Sequence, residues 1–110
     1  MIINETELIA TIRSIPDFPK EGILFRDITT LLKNADAYET LVESIAEKLR
    51  PLDVDIVIGP EARGFVIGSA VAYAVHAGFV LARKPGKLPC EVNSVSYGLE
   101  YGSDRLLRAE

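Results

Sequence analysis

Two short apolar runs restrict what this chain can become. Ile56-Val57-Ile58 and Phe79-Val80-Leu81-Ala82 bracket an alanine-rich stretch, Gly64 to His76, with the length and composition of a helix. Strand, helix and strand in that order make a βαβ unit, whose strands run parallel with a right-handed crossover. The first strand is expected over Asp53 to Ile58, buried on both faces as parallel strands are. Gly78 is the expected stop of the helix. An α/β sheet of this kind binds ligands in the loops at the carboxyl ends of its parallel strands.

The first such loop lies within Gly59-Pro60-Glu61-Ala62-Arg63-Gly64-Phe65. It aims backbone N–H groups and one guanidinium at a common spot, an arrangement that attracts an anion such as phosphate or pyrophosphate. Its glycine spacing fits neither a Walker nor a dinucleotide motif. The second loop, Arg83-Lys84-Pro85-Gly86-Lys87, follows the next parallel strand. Adjacent strands lie about 5 Å apart, so the two loops can share one ligand. Arg63, Arg83, Lys84 and Lys87 would repel one another with no anion between them. The plainer alternatives are a connection whose arginine pairs with Glu61 or with solvent, and a basic turn that aids solubility.

Charge and composition remove other classes. A net charge of −4 over 110 residues speaks against a broad basic surface for nucleic acid. The single Cys90 forms no internal disulfide, which fits a reducing compartment. One histidine and one cysteine do not make a zinc site. His76, near a helix C-terminus where a cation suits the dipole, is expected to be structural. Met1 to Glu5 lacks the features of a signal peptide, and the apolar run Phe65 to Val75 is too short for a bilayer. The expectation is one cytoplasmic domain with no membrane partner.

The N-terminal third carries different signals. Asn4 or Thr6 caps a helix of about ten residues that Pro16 should stop near Ile15. Pro16 to Thr29, with two prolines and Gly22, is expected to follow an irregular path on which Phe18 and Phe25 act as anchors. A second helix runs from after Asn34 to Arg50, with Leu41, Val42, Ile45, Ala46 and Leu49 as its apolar stripe and Glu39, Glu43, Glu47 and Lys48 toward water. Near the C-terminus, Val92 to Tyr97 reads as an exposed strand, Tyr101 to Asp104 as a turn, and Arg105 to Ala109 as a return strand. The segment Ser96 to Gly102 is either a plain hairpin or a lid bearing Glu100. Two parallel strands and a hairpin make a thin sheet, and the sequence reads as interrupted.

Four segments in this order resemble the adenine phosphoribosyltransferases. They are Asp17-Phe18-Pro19-Lys20-Glu21-Gly22-Ile23-Leu24-Phe25-Arg26-Asp27-Ile28-Thr29, Gly59 to Phe65, Ala82 to Pro89, and Tyr97-Gly98-Leu99-Glu100-Tyr101-Gly102. The resemblance implies a type I phosphoribosyltransferase-like α/β fold: a parallel sheet with flanking helices, an N-terminal hood and a flexible hairpin. In that reading 1–110 is a single incomplete domain, with helix and base hood over 1–33 and a partial α/β core over 34–110.

The resemblance also implies a reaction. 5-Phosphoribose passes from phosphoribosyl pyrophosphate to adenine, giving AMP and pyrophosphate, with Mg²⁺ bound alongside the phosphoribosyl pyrophosphate, in a homodimer. Phe25 would stack on adenine while the backbone of Leu24 and Arg26 reads its edge. Arg63, Arg83, Lys84 and Lys87 would hold pyrophosphate, Arg63 and Glu100 would be catalytic, and Tyr97, Glu100 and Tyr101 would form the flexible loop. Family members continue with two adjacent acidic residues followed by Thr-Gly-Gly, which bind the ribose and its 5-phosphate, and no such run occurs here. The alternatives are a purine- or nucleotide-binding module and a remnant that survives by dimerising.

Overall fold

A computed structural model describes residues 3–86, 92–99 and 102–109, with side-chain surroundings for 3–86. The chain divides into two compact units, Met1–Ile45 and Ala46–Glu110.

The first unit opens with helix α1, Glu5–Ala10, capped by Asn4, whose side chain accepts from the Glu7 N–H at 2.8 Å. The helix ends five residues before Ile15. Thr11 donates its hydroxyl to the Leu8 carbonyl, and the Thr11 and Ile12 amides return to Leu8 and Ile9. Those bonds close the last turn early and release Arg13–Pro16 as strand β1. Strand β2, Leu24–Asp27, pairs with it antiparallel, Ser14 opposite Arg26 and Ile15 opposite Phe25. The segment expected to be irregular is therefore a two-stranded ribbon. Its turn is fixed by Asp17, whose carboxylate accepts from the Gly22 N–H at 3.0 Å. Gly22 has a φ of +89° there, a conformation that costs glycine little.

A short helix α2, Thr29–Leu32, buries Leu31. Helix α3, Ala35–Leu49, starts where Asn34 accepts from the Ala37 N–H. It buries Ala37, Thr40 and Ala46, and Leu41, Val42, Ile45 and Leu49 are half-buried as the stripe predicts. Glu39, Glu47 and Lys48 are exposed, whereas Glu43 is half-buried. The helix passes into a 3-10 turn at Arg50–Leu52, with Pro51 early in it where a missing N–H costs nothing.

The second unit holds a four-stranded sheet in the order β3-β4-β6-β5. The strands are β3 (Ile56–Pro60), β4 (Gly78–Arg83), β5 (Val92–Leu99) and β6 (Gly102–Ala109). β3 and β4 are parallel, as the βαβ pattern requires, and β6 pairs antiparallel with both β4 and β5. The return strand starts at Gly102, which pairs with Leu99, so no turn extends to Asp104. Helix α4, Arg63–Val75, connects β3 to β4. It ends at His76, not Gly78: His76 takes the left-handed conformation with φ 59° and donates its N–H back to the last turn, and Gly78 begins β4.

Burial on both faces of β3 does not occur. Val57 is half-buried and Gly59 buried, whereas Ile56 and Ile58 are 53% and 54% exposed. Alternation along a strand sends Ile56 and Ile58 to the face opposite Gly59, the residue that meets α4.

Candidate anion and base sites

The junction of β3 and α4 is a backbone-on-backbone contact. A Cβ on Gly59 would lie 2.3 Å from the Gly64 carbonyl oxygen and 2.6 Å from Phe79 Cζ. One on Gly64 would lie 2.4 Å from Pro60 Cδ. Two glycines thus allow the helix to begin directly on the strand end, and they set Arg63 as the first helical residue, exposed. Ala62 at the N-cap offers no side-chain acceptor to the first turn. The positive end of the helix dipole is left to interact with whatever anion approaches.

The second cationic segment begins inside the sheet. Arg83 is the last residue of β4, half-buried, and Lys84 follows it exposed. The parallel ladder continues one step beyond the strand, with the Glu61 N–H donating to the Ala82 carbonyl at 2.9 Å. Glu61 Oε1 then accepts from the Lys84 N–H at 2.8 Å and from Arg83 Nε at 3.4 Å. The guanidinium carbon of Arg83 lies 5.7 Å from the centroid of Phe65. Phe65 meets Phe79 edge-on at 6.4 Å. Arg83 therefore has a carboxylate on one contact and an aromatic face on another, both from the first loop and the turn of helix after it.

That geometry brings the Arg63 segment and the Arg83–Lys84 segment together, as expected from parallel neighbours. It also amends the electrostatics. The cations are not left to repel one another, because Glu61 brings a carboxylate to Arg83. Composition gave Glu61 no role beyond a partner for an arginine. The signal was its position one step past a β-strand, where its backbone ladders to β4 and its side chain reaches the next loop.

The base-hood residues lie on the ribbon of the first unit. Phe25 and Phe18 meet edge-to-face with centroids 5.1 Å apart and planes at 72°. They pack on each other, rather than each anchoring separately. Phe18 is 49% exposed and Leu24 50%. Arg26 Nη1 donates to Ser14 Oγ across the ribbon at 2.7 Å. β2 pairs with β1 in a sheet of two strands.

The base of the ribbon is tied by a pair that the sequence did not single out. Asp27 is buried, and its Oδ2 accepts from Arg13 Nε at 3.0 Å and from Arg13 Nη2. Its Oδ1 accepts from the Thr29 N–H at 2.9 Å and the Thr29 hydroxyl at 2.7 Å. The Thr29 backbone bond, then the Arg13 bond, then the Thr29 hydroxyl lower its pKa from 3.8 to about 2.

Lys87, Glu100 and Tyr101 lie outside the described residues, and Tyr97 is described in its backbone alone, within β5. Among the described residues no three His, Cys, Asp or Glu side chains group as a metal cage. Among them, too, no helix is long and apolar enough to cross a membrane.

No family model matches the chain. It is 55% identical over 95 residues to the adenine phosphoribosyltransferase of Pseudothermotoga lettingae, covering 86% of this chain and 56% of that protein. The solved adenine phosphoribosyltransferase of Thermoanaerobacter pseudethanolicus superposes with a TM-score of 0.87 at 49% identity, over 94% of this chain and 60% of that one. The Giardia lamblia enzyme complexed with 9-deazaadenine superposes with a TM-score of 0.92 at 31% identity, over 97% and 60%. The chain thus spans little more than half the length of the curated relatives it matches. Over that span its fold is that of the type I phosphoribosyltransferases.

Proposed function

We propose that this chain carries the base-binding and pyrophosphate-binding parts of an adenine phosphoribosyltransferase, acting in purine salvage. The enzyme would move 5-phosphoribose from phosphoribosyl pyrophosphate to adenine, giving AMP and pyrophosphate. The observation that carries the reading is the joined pair of cationic segments, Arg63 at a helix start and Arg83–Lys84 at the end of the neighbouring parallel strand, linked through Glu61.

In ribosyl transfer the bond from C1 to pyrophosphate breaks as positive charge develops on the sugar. Fixed cations aimed at the departing oxygens stabilise that separation without reorganising. Arg63 with the α4 amides takes one side of the pyrophosphate, and Arg83, Lys84 and Lys87 take the other. Mg²⁺ arrives on the pyrophosphate oxygens, since this ion commonly keeps its waters and binds through substrate phosphates. Phe25 stacks on the adenine ring while the Leu24 and Arg26 backbone reads its edge. Glu100 handles a purine ring proton, and Tyr97 and Tyr101 belong to the loop that closes over the ligands and limits hydrolysis. The working state in this reading is a cytoplasmic homodimer.

The similarity to a Giardia enzyme bound to an adenine analogue supports the choice of base. The sequence contains no acidic pair followed by Thr-Gly-Gly. The reading therefore gives this chain the base and pyrophosphate ends of the reaction, not the ribose 5-phosphate.

Calorimetric titration of the polypeptide with adenine and, separately, with Mg²⁺–pyrophosphate tests this. Both are expected to bind, and R63A should weaken pyrophosphate about tenfold or more, the worth of a charged hydrogen bond. Binding of adenine alone points to a purine-sensing module. Binding of neither removes the proposal.

A further inference from the structure

We propose that Glu61 is a positioning residue that joins the two cationic segments into one site. This rests on the reading of that site as a pyrophosphate receptor. Glu61 does not suit the anion itself, since a carboxylate beside pyrophosphate repels it. Its contacts explain its presence. The same residue donates its backbone N–H to Ala82, accepts the Lys84 N–H, and accepts from Arg83 Nε.

The contact to Arg83 uses Nε, the inner nitrogen of the fork. A guanidinium bound there is fixed in direction as well as place, and its plane is further set by the face of Phe65. The bond to the Lys84 amide fixes the backbone at the point where the exposed lysine leaves the sheet. The Glu61 side chain is 15% exposed and that of Arg83 32%, so the pair is shielded enough for its geometry to persist. Glu61 therefore sets the direction of cations that arrive on a different strand from Arg63.

Charge and positioning predict opposite signs for truncation. On charge alone, E61A removes a repulsive carboxylate and should tighten pyrophosphate. If Glu61 organises the loops, E61A should weaken it about tenfold or more, because two buried-side hydrogen bonds go together. E61Q keeps the acceptor oxygen without its charge and should recover part of that loss.

Isothermal titration of wild type, E61A and E61Q with Mg²⁺–pyrophosphate reads these outcomes. Thermal melts establish that each variant folds, and ¹⁵N spectra follow the Lys84 amide and the Arg83 Nε–H. The proposal expects both resonances to move in E61A and to return partway in E61Q. Unchanged or tighter pyrophosphate binding by E61A overturns it. If E61A does not fold, tighter binding by E61Q overturns it and weaker binding supports it. Should the wild-type chain bind no pyrophosphate, the functional reading falls separately. The two resonances then decide whether Glu61 is the joint: movement in E61A or E61Q upholds it, and immobility in both overturns it.

Discussion

Asp27 stands directly opposite Arg13 across the β1–β2 ribbon, and Arg13 Nε donates to Asp27 Oδ2 at 3.0 Å. The same carboxylate takes the backbone and side chain of Thr29, so one buried group ties both strands to the start of α2. Its pKa is lowered from 3.8 to about 2. A lowered value means that the unfolded chain binds the proton more readily than the folded one. The stability Asp27 contributes is therefore complete above pH 3.8 and is lost as pH falls toward about 2. Urea unfolding across this range should show a falling stability in wild type and a flatter profile in D27N, which should also be less stable at neutral pH. Equal slopes in the two proteins would remove Asp27 as the tie.

Gly59 and Gly68 both face Phe79 but meet different obstacles. A Cβ at Gly59 strikes the Gly64 carbonyl at 2.3 Å, which is backbone and has no rotamer to change. A Cβ at Gly68 strikes Phe79 Cε1 at 2.7 Å, part of a ring that can turn. G59A should cost about 1–3 kcal/mol, the range for overpacking a tight contact, and G68A should sit at or below the lower end. Thermal melts of the two variants compare them directly. A G59A protein as stable as G68A would mean that the strand and helix separate easily, and that Arg63 is not fixed by their contact.

Phe25 tests the base end of the proposed reaction. F25A removes the stacking face and its edge contact with Phe18. Loss of a base-stacking aromatic costs about 1–3 kcal/mol in nucleic-acid binders. Adenine affinity should fall by a comparable amount, while pyrophosphate affinity stays the same, because the pyrophosphate residues lie on other elements. Competition calorimetry reads both. An F25A chain that binds adenine like wild type would remove Phe25 from the base site.

The parallel pair and its connecting helix were legible because period and composition agree there: β-branched residues, then alanines, then β-formers. The positions of Arg63 and Arg83 at one sheet edge followed from that topology. The ribbon at Arg13–Asp27 was not legible. β1 and β2 are four residues each and sit among prolines, and their stability comes from pairing and from the buried Arg13–Asp27 contact, which no local pattern reveals. The two-sided burial expected for β3 failed for a similar reason. β-branched composition shows that a strand suits burial, but not which faces the rest of the fold covers. Glu61 was read as a charge, yet its importance lies in the loop to which its backbone and side chain reach.

Phe65 offers the last test, of the aromatic contact on Arg83. F65L keeps apolar bulk but removes the ring face 5.7 Å below the guanidinium and the edge contact to Phe79. A cation over an aromatic face is worth about 0.5–1 kcal/mol at a partly exposed site. F65L should therefore weaken pyrophosphate about two- to fivefold by that same interaction, less than E61A does. F65Y keeps the face and should restore most of the affinity. The lost edge contact between rings should lower folding stability by about 0.5–1.5 kcal/mol in F65L and leave F65Y near wild type. Pyrophosphate titrations and thermal melts of both variants separate the two effects. An F65L chain that is destabilised yet binds pyrophosphate like wild type would assign Phe65 to the packing of α4 on β4 and remove it from the orientation of Arg83.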